Sequence, residues 1–273
     1  MQLDPLAFEG LAAHYSVGRP PYSARLAETL AGELELDGTG HLLDVGCGPG
    51  VLVRQLGHLF ETVTALDPSP DMLGEGRRVA DLAGVANVRW LEGVAEQLPT
   101  LDIAPARVVT FGQSFHRTDR LAVAEHVYDA LVPGGAIVLI AHDIDGRPQP
   151  PNPGHPTIPH DAIRELVVAF LGEDTRRYLA FWAEPQERFV DTLARTRFGA
   201  ARTVFAPGRA DLTPNIDSVV ADCFSKSFSA PRQFGDRLEQ FEGELRQLLL
   251  ARSPDGVFWN WPGDTEIVIG VKH

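Results

Sequence analysis

The sequence predicts an α/β fold: a doubly wound, mostly parallel sheet with helices on both faces and a helical cap inserted late in the chain. Three observations predict it. Residues 42–50, Leu-Leu-Asp-Val-Gly-Cys-Gly-Pro-Gly, read as a buried strand turning through glycines into a helix. Short apolar, β-branched runs then alternate with helical stretches, the pattern of parallel strands joined by crossover helices. A proline-rich segment followed by aromatic-rich helical stretches, residues 143–200, interrupts this alternation after the fifth strand.

The elements follow in order. Val51–Phe60 continues the glycine turn as a helix, and Thr62–Leu66 is a strand ending at Asp67. Ser69-Pro70-Asp71 supplies an N-cap, a proline at the first helical position and an acid in the first turn, so a helix runs to about Ala83. Asn87–Leu91 and Arg107–Phe111 are strands. Thr118 is placed to cap a helix reaching Leu131, with Leu121, Ala124, Val127 and Leu131 on one face. Pro133-Gly134-Gly135 is a turn, and Ala136–Ala141 a buried strand. Gln233–Ala251 carries Phe234, Leu238, Phe241, Leu245 and Leu248 at helical spacing, a core stripe. Thr265–Val271 is the last strand. Asp44, Asp67, Glu92–Glu96, Gly112–His116 and His142 all follow strand ends. Ligands of such sheets bind beyond the strand C-termini, so these residues converge on one edge.

The inserted segment contains Pro148, Pro150, Pro151, Pro153, Pro156 and Pro159, then Phe170, Tyr178, Phe181, Trp182 and Phe189. Long insertions in compact domains often serve as lids, so a cap over the site is expected, with a packed structural appendage as the alternative.

Composition narrows the class. A chain of 273 residues, 44% hydrophobic and 22% charged, is globular and long enough for a full core. A net charge of −13 repels phosphate backbones, which argues against a nucleic-acid partner. Only Cys47 and Cys223 occur, and Cys47 lies inside the glycine loop. A structural disulfide is not expected, and a reducing, cytoplasmic setting is. Residues 1–20 lack a signal-peptide pattern, and no run of about 18 apolar residues suggests a membrane span. His142, Asp143, His155 and His160 match no zinc spacing, so no metal is expected.

The glycine spacing separates cofactor classes. A dinucleotide fingerprint places its third glycine at position 51, which is Val51; this loop is G-x-G-x-G. Asp44 would add like charge beside a pyrophosphate. It suits a ligand with an ammonium group and no phosphate, such as S-adenosylmethionine. An oxidoreductase therefore conflicts with both Val51 and Asp44.

With these pieces placed, the chain resembles the class I S-adenosylmethionine-dependent methyltransferases, in particular the small-molecule enzymes of the UbiE and trans-aconitate type. The resemblance rests on Leu42–Gly50, on Thr64-Ala65-Leu66-Asp67-Pro68-Ser69 with Met72, and on Gly93-Val94-Ala95-Glu96-Gln97-Leu98-Pro99. Phe111–His116, Leu131–Gly135 and the N-terminal Ala13-His14-Tyr15, Arg19-Pro20 and Tyr22 complete it. It implies a seven-stranded Rossmann-like methyltransferase fold in a single domain. Residues 1–35 would close over the cofactor, 36–142 and 201–273 would form the core, and 143–200 the cap.

The resemblance also implies roles. Gly46, Cys47 and Gly48 approach the methionine and ribose portions, Asp44 holds the ammonium, and Asp67, followed by Pro68, accepts the ribose hydroxyls. Met72 and Val94 flank the adenine, Ala95 and Glu96 meet its edge, and Gln113 meets the methionine end. Tyr15 and Arg19 bind the carboxylate. Phe115, His116, Arg117, His142 and Trp182 face the acceptor, a small organic molecule methylated at O, N or C. His116, with an ordinary pKa of about 6.5, is the candidate base, and His142 a second. The family often carries tryptophan where this chain has Arg117. A protein of the same fold that binds the cofactor without transferring methyl is the alternative.

Overall fold

In the computed structural model, residues 10–143, 149–183 and 186–273 are described, apart from the side chains of 143, 182 and 183. Seven strands form one sheet: β1 (His41–Val45), β2 (Thr62–Asp67), β3 (Val88–Glu92), β4 (Ala106–Gly112), β5 (Leu131–Asp143), β6 (Arg202–Ala206) and β7 (Asp264–Val271). Their order is β3-β2-β1-β4-β5-β7-β6. The pairs among β1 to β5 are parallel, and β7 runs antiparallel between β5 and β6. β1 is buried along its whole length, as a central strand covered on both faces must be. The chain winds outward from β1 to β2 on one side and returns to β4 on the other. The crevice beyond the ends of β1 and β4 is therefore the switch point where such sheets take ligands.

The helices are α1 (Ala12–Gly18), α2 (Leu26–Glu33), α3 (Val51–Leu56), α4 (Pro70–Leu82), α5 (Arg120–Ala130), α6 (His160–Leu171), α7 (Glu173–Ala183), α8 (Phe189–Leu193), α9 (Ile216–Phe224), α10 (Pro231–Phe234) and α11 (Leu238–Arg252). Leu26, Leu30, Leu52, Val53, Leu56 and Leu73 cover one sheet face. Val123, Ala124, Val127, Leu193 and Phe198 cover the other. The Ser69 cap forms as the sequence suggests, its hydroxyl accepting from Met72 N at 3.3 Å.

Several elements differ from expectation. Asp119, not Thr118, caps α5, accepting from Ala122 N at 3.2 Å, while the Thr118 hydroxyl donates to Phe115 O. Leu121 is 39% exposed, so the buried stripe of α5 is Val123, Ala124 and Val127. Pro133-Gly134-Gly135 lies within an irregular stretch of β5, where the register against β4 jumps from Ala106↔Leu131 to Val108↔Ala136. Gly235, at φ 53°, breaks the expected helix 233–251 into α10 and α11.

The larger difference concerns the insertion. A helical lobe outside the sheet has its own core, in which Ile163, Val167 and Phe170 meet Val219, Phe224, Phe241, Leu245, Leu249 and Phe258. Two stretches build it: one between β5 and β6, the other between β6 and β7. Trp259 N donates to Pro156 O at 2.9 Å and ties them together. Thus α9 to α11 belong to the lobe although they fall within 201–273. Leu193 and Phe198, within 143–200, belong to the sheet's core. The stripe of α11 is core, but core of the lobe. β6, which no element of the sequence reading marked, is the edge strand that separates the two stretches.

Candidate functional site

β1 delivers the chain into the glycine loop, and backbone bonds hold that loop against β2. Gly46 N and Cys47 N both donate to Leu66 O, at 2.8 and 3.0 Å. Gly46, Gly48 and Gly50 all adopt positive φ, at 65°, 52° and 70°, where any side chain would be strained. Their surroundings differ. A Cβ on Gly46 would sit 2.6 Å from Ser114 Cβ, and one on Gly50 would sit 2.7 Å from the Trp90 ring. A Cβ on Gly48 would meet nothing within 4 Å. Two of the glycines make room for the chain itself, and Gly48 alone leaves open space.

Two acids flank this loop. Asp44 is 1% exposed, and its Oδ1 accepts from the Thr110 hydroxyl at 2.7 Å. Its Oδ2 is buried and has no hydrogen-bond partner among the described residues. Burial, with Asp67 nearby adding like charge, pushes the Asp44 carboxyl up to about 7 against the pull of the Thr110 bond. Asp67 accepts from Gly48 N at 2.8 Å through one oxygen and from Ser69 N at 2.9 Å through the other. Burial raises its pKa, and the two amides oppose the rise.

A cleft open to solvent lies over Asp44 and Gly48, and its walls include Tyr15, Arg19, Tyr22, Gln113 and His142. The segment after α1 roofs it. The Arg19 guanidinium lies 5.0 Å from the Tyr15 ring centre and donates through Nη2 to Ser225 O at 3.3 Å. Arg19 Nε is buried without a hydrogen-bond partner among the described residues. Tyr22 stacks on His142 with centroids 5.0 Å apart. Burial lowers the His142 pKa to about 4, although the Pro20 carbonyl beside the ring opposes this. Gln113 has φ 56°, a rare conformation for a non-glycine residue. Its amide is held by Ile140 O at 3.0 Å. Tyr22 and Thr110 belong to this site with no motif to mark them; only a buried acid needing a hydroxyl hints at Thr110.

Other expected residues lie elsewhere. Met72, 2% exposed, packs against Leu11, Ala12 and Ala230. Ala95 is buried and Val94 half-buried, while the exposed Glu96 accepts from Asp119 N at 3.1 Å, at the start of α5. These follow β2 and β3, on the Asp67 side, and none of them lines the Asp44 cleft. Phe115 must be corrected: it is 1% exposed and packs between Phe111 and Phe189, so its side chain serves the core and cannot face an acceptor. His116 and Arg117 stand on the same single-turn 3-10 helix, both half-buried. Burial and the Arg117, Arg120 and Arg19 guanidiniums push His116 down to about 4. Burial also lowers Arg117. Cys47 is 7% exposed with its thiol pushed well up by burial, a small residue in a tight turn rather than a nucleophile. The Trp182 side chain falls outside the described residues. No group of three metal-ligating side chains occurs among the described residues.

The arrangement fits one ligand class on its own terms. An orphaned carboxylate oxygen on Asp44 and an orphaned guanidinium nitrogen on Arg19 border one cleft. Buried polar atoms are ordinarily bonded, so each asks for a partner of opposite charge. A zwitterionic amino-acid group supplies both an ammonium and a carboxylate, and the methionine portion of S-adenosylmethionine carries one.

Residues 42–135 match the family described as "Methyltransferase domain". An uncharacterized methyltransferase of Mycobacterium tuberculosis is 30% identical over 142 residues, 52% of this chain and 54% of that protein. The ubiquinone/menaquinone biosynthesis C-methyltransferase of Rubrivivax gelatinosus is 31% identical over 37% of this chain and 38% of its own length. A ubiquinone biosynthesis O-methyltransferase of Methylobacterium nodulans is 34% identical over 34% of this chain and 37% of its own. The chain thus spans about half the length, or less, of these relatives. The glycine loop and both acids lie inside the matched segment, so this side of the site falls in the part of the chain that is similar to S-adenosylmethionine-dependent methyltransferases.

Proposed function

We propose that the protein transfers a methyl group from S-adenosylmethionine to an O, N or C atom of a small organic molecule. The pair of orphaned charges, Asp44 Oδ2 and Arg19 Nε, carries the reading. When bound, the cofactor supplies an electrophilic methyl on a sulfonium. The chain's residues then bind and position. Asp44 receives the ammonium, and Arg19 with Tyr15 receives the carboxylate. Asp67 keeps lone pairs for the ribose hydroxyls beyond the two amides it already holds. Val94 flanks the adenine, with Ala95 and Glu96 at its edge, and Gln113 meets the methionine end; Met72, closed off among Leu11, Ala12 and Ala230, backs this wall from the core and does not touch the ring.

The acceptor side is formed by His116, Arg117 and His142, with the helical lobe as the cap. His116 is the candidate base. A histidine held near 4 is unprotonated at neutral pH, but the burial and arginine charges that hold it there also weaken it as a base, so the assignment rests on its place after β4 and on the kinetic test below.

Calorimetry with S-adenosylhomocysteine should show saturable binding, and S-adenosylhomocysteine should accumulate when S-adenosylmethionine is supplied with a panel of small acceptors. Binding without turnover across the panel would favour the non-transferring alternative. In single-turnover measurements, His116→Ala should slow transfer by about 100-fold while sparing cofactor affinity. An undiminished rate removes His116 from the proton transfer.

A further inference from the structure

Helix α1 meets the lobe through Gly18. A Cβ built on Gly18 would lie 2.0 Å from Asp222 N and 2.3 Å from the Ala221 carbonyl carbon. Both are backbone atoms of α9, so no side-chain rotation relieves the clash. Gly18 is the last residue of α1 and lies outside the left-handed region. Its requirement is for contact, not for conformation. Two further contacts lie beside it: Arg19 Nη2 donates to Ser225 O at the end of α9, and His14 and Phe224 have ring centres 5.3 Å apart. On α9, Val219, Val220, Cys223 and Phe224 are built into the lobe core. On α1, Tyr15 faces the cleft, as does Arg19 just beyond the helix. The α1–α9 seam thus joins the roof of the cleft to the lobe, with Gly18 at its closest approach.

We propose that Gly18 is a positioning residue that seats α1 on α9, so that filling the cofactor cleft steadies the helical lobe and prepares the acceptor side only over a loaded cofactor. The proposal rests on the reading of the cleft as the cofactor's site. Ligand contacts on Tyr15 and Arg19 would restrain α1, and the backbone contact at Gly18 would carry that restraint into α9. Coupling of this kind needs a physical element that both sites bias, and the α1–α9 pair is one.

Hydrogen–deuterium exchange of the full chain, with and without S-adenosylhomocysteine, tests this, with calorimetry on the same samples. In the wild type, saturating S-adenosylhomocysteine should slow exchange in α1 and α9 together by about fivefold or more. In Gly18→Ala, the ligand should still slow exchange in the glycine loop, but the response of α9 should disappear. Alanine favours helix over glycine, so α1 itself is not weakened by the change. Gly243→Ala, on α11 with nothing within 4 Å, should keep the full α9 response. A purely structural contact would alter α9 equally with and without ligand, so the ligand-dependent difference is the readout. An unresponsive α9 in the saturated wild type overturns the proposal even if Gly18→Ala fails to fold. A retained response in Gly18→Ala also overturns it. Absence of S-adenosylhomocysteine binding to the wild type would instead bring down the cofactor reading, and this proposal with it.

Discussion

The rim of β1 and β2 and the helical lobe are built by opposite routes. At the rim, each site residue sits within a few positions of a strand end and is marked by a short motif, while the paired strands supply partners such as Thr110 for Asp44. Asp67 bonds Ser69, two residues on, and Gly48 across the adjacent strand. In the lobe, Phe170 touches Phe234 and Phe241, from separate stretches of chain on opposite sides of β6. The rim is determined locally and the lobe by long-range packing. On the proposed reading, the rim recognises one fixed ligand and can be carried by short motifs, whereas the lobe faces the acceptor and can vary through a distant set of side chains.

The sharpest way to break this comparison is to cut into the lobe alone. Phe241 is fully buried and stacks on Phe234 at 4.0 Å. Phe241→Ala should cost about 3–5 kcal/mol, read by chemical denaturation. Exchange protection should fall first in α6, α9 and α11 and persist in β1 to β4. Equal loss in β1 to β4 would make the two regions one cooperative unit.

The next largest effect belongs to the rim. Asp67→Ala should weaken S-adenosylhomocysteine binding about 100-fold by calorimetry, the scale of charge-assisted hydrogen bonds at about 1.5–3 kcal/mol. Unchanged affinity would remove Asp67 from the site.

The smallest effect separates binding from stability. Asp44 titrates near 7 when folded, above its ordinary 3.8. Because the folded value is raised, ionisation costs the unliganded fold stability as pH rises from about 4 through 7. In the proposed site, however, the ammonium needs the ionised form. Wild-type affinity for S-adenosylhomocysteine should therefore fall by up to about tenfold per pH unit below 7. Asp44→Asn should bind weakly with no such slope, and should melt higher than the wild type at pH 8. A slope retained in the variant would assign the titration to another group.

The same contrast explains what the sequence made legible. Asp44, the glycine loop, Asp67 and the Ser69 cap could be read because strand, turn and helix signals lie side by side there. Phe115 departs from the expectation because the one-turn helix Phe115–Arg117 gives its three side chains different directions, which linear spacing does not reveal. Thr110 and Tyr22 carry no local signature; each matters through a partner, Asp44 and His142, far away in sequence. The cap is expected as one continuous block because Arg202–Ala206, although its Thr-Val-Phe run favours a strand, is too short to stand out between helical stretches. Only its ladder with β7 shows that the block is divided.

That division has a consequence for how the molecule is made. During synthesis, α6 emerges with its apolar face open, since its partners on α9 and α11 follow β6 in the chain. Strands β1 to β5 can pair as they appear, in chain order, but the lobe must wait for distant sequence and for the antiparallel closure by β7. Such long-range assembly is slow and leaves sticky surface exposed in the interval. The proline-rich run just before α6 stiffens the approach to that waiting helix, and Pro156 later becomes the point where the two halves are pinned.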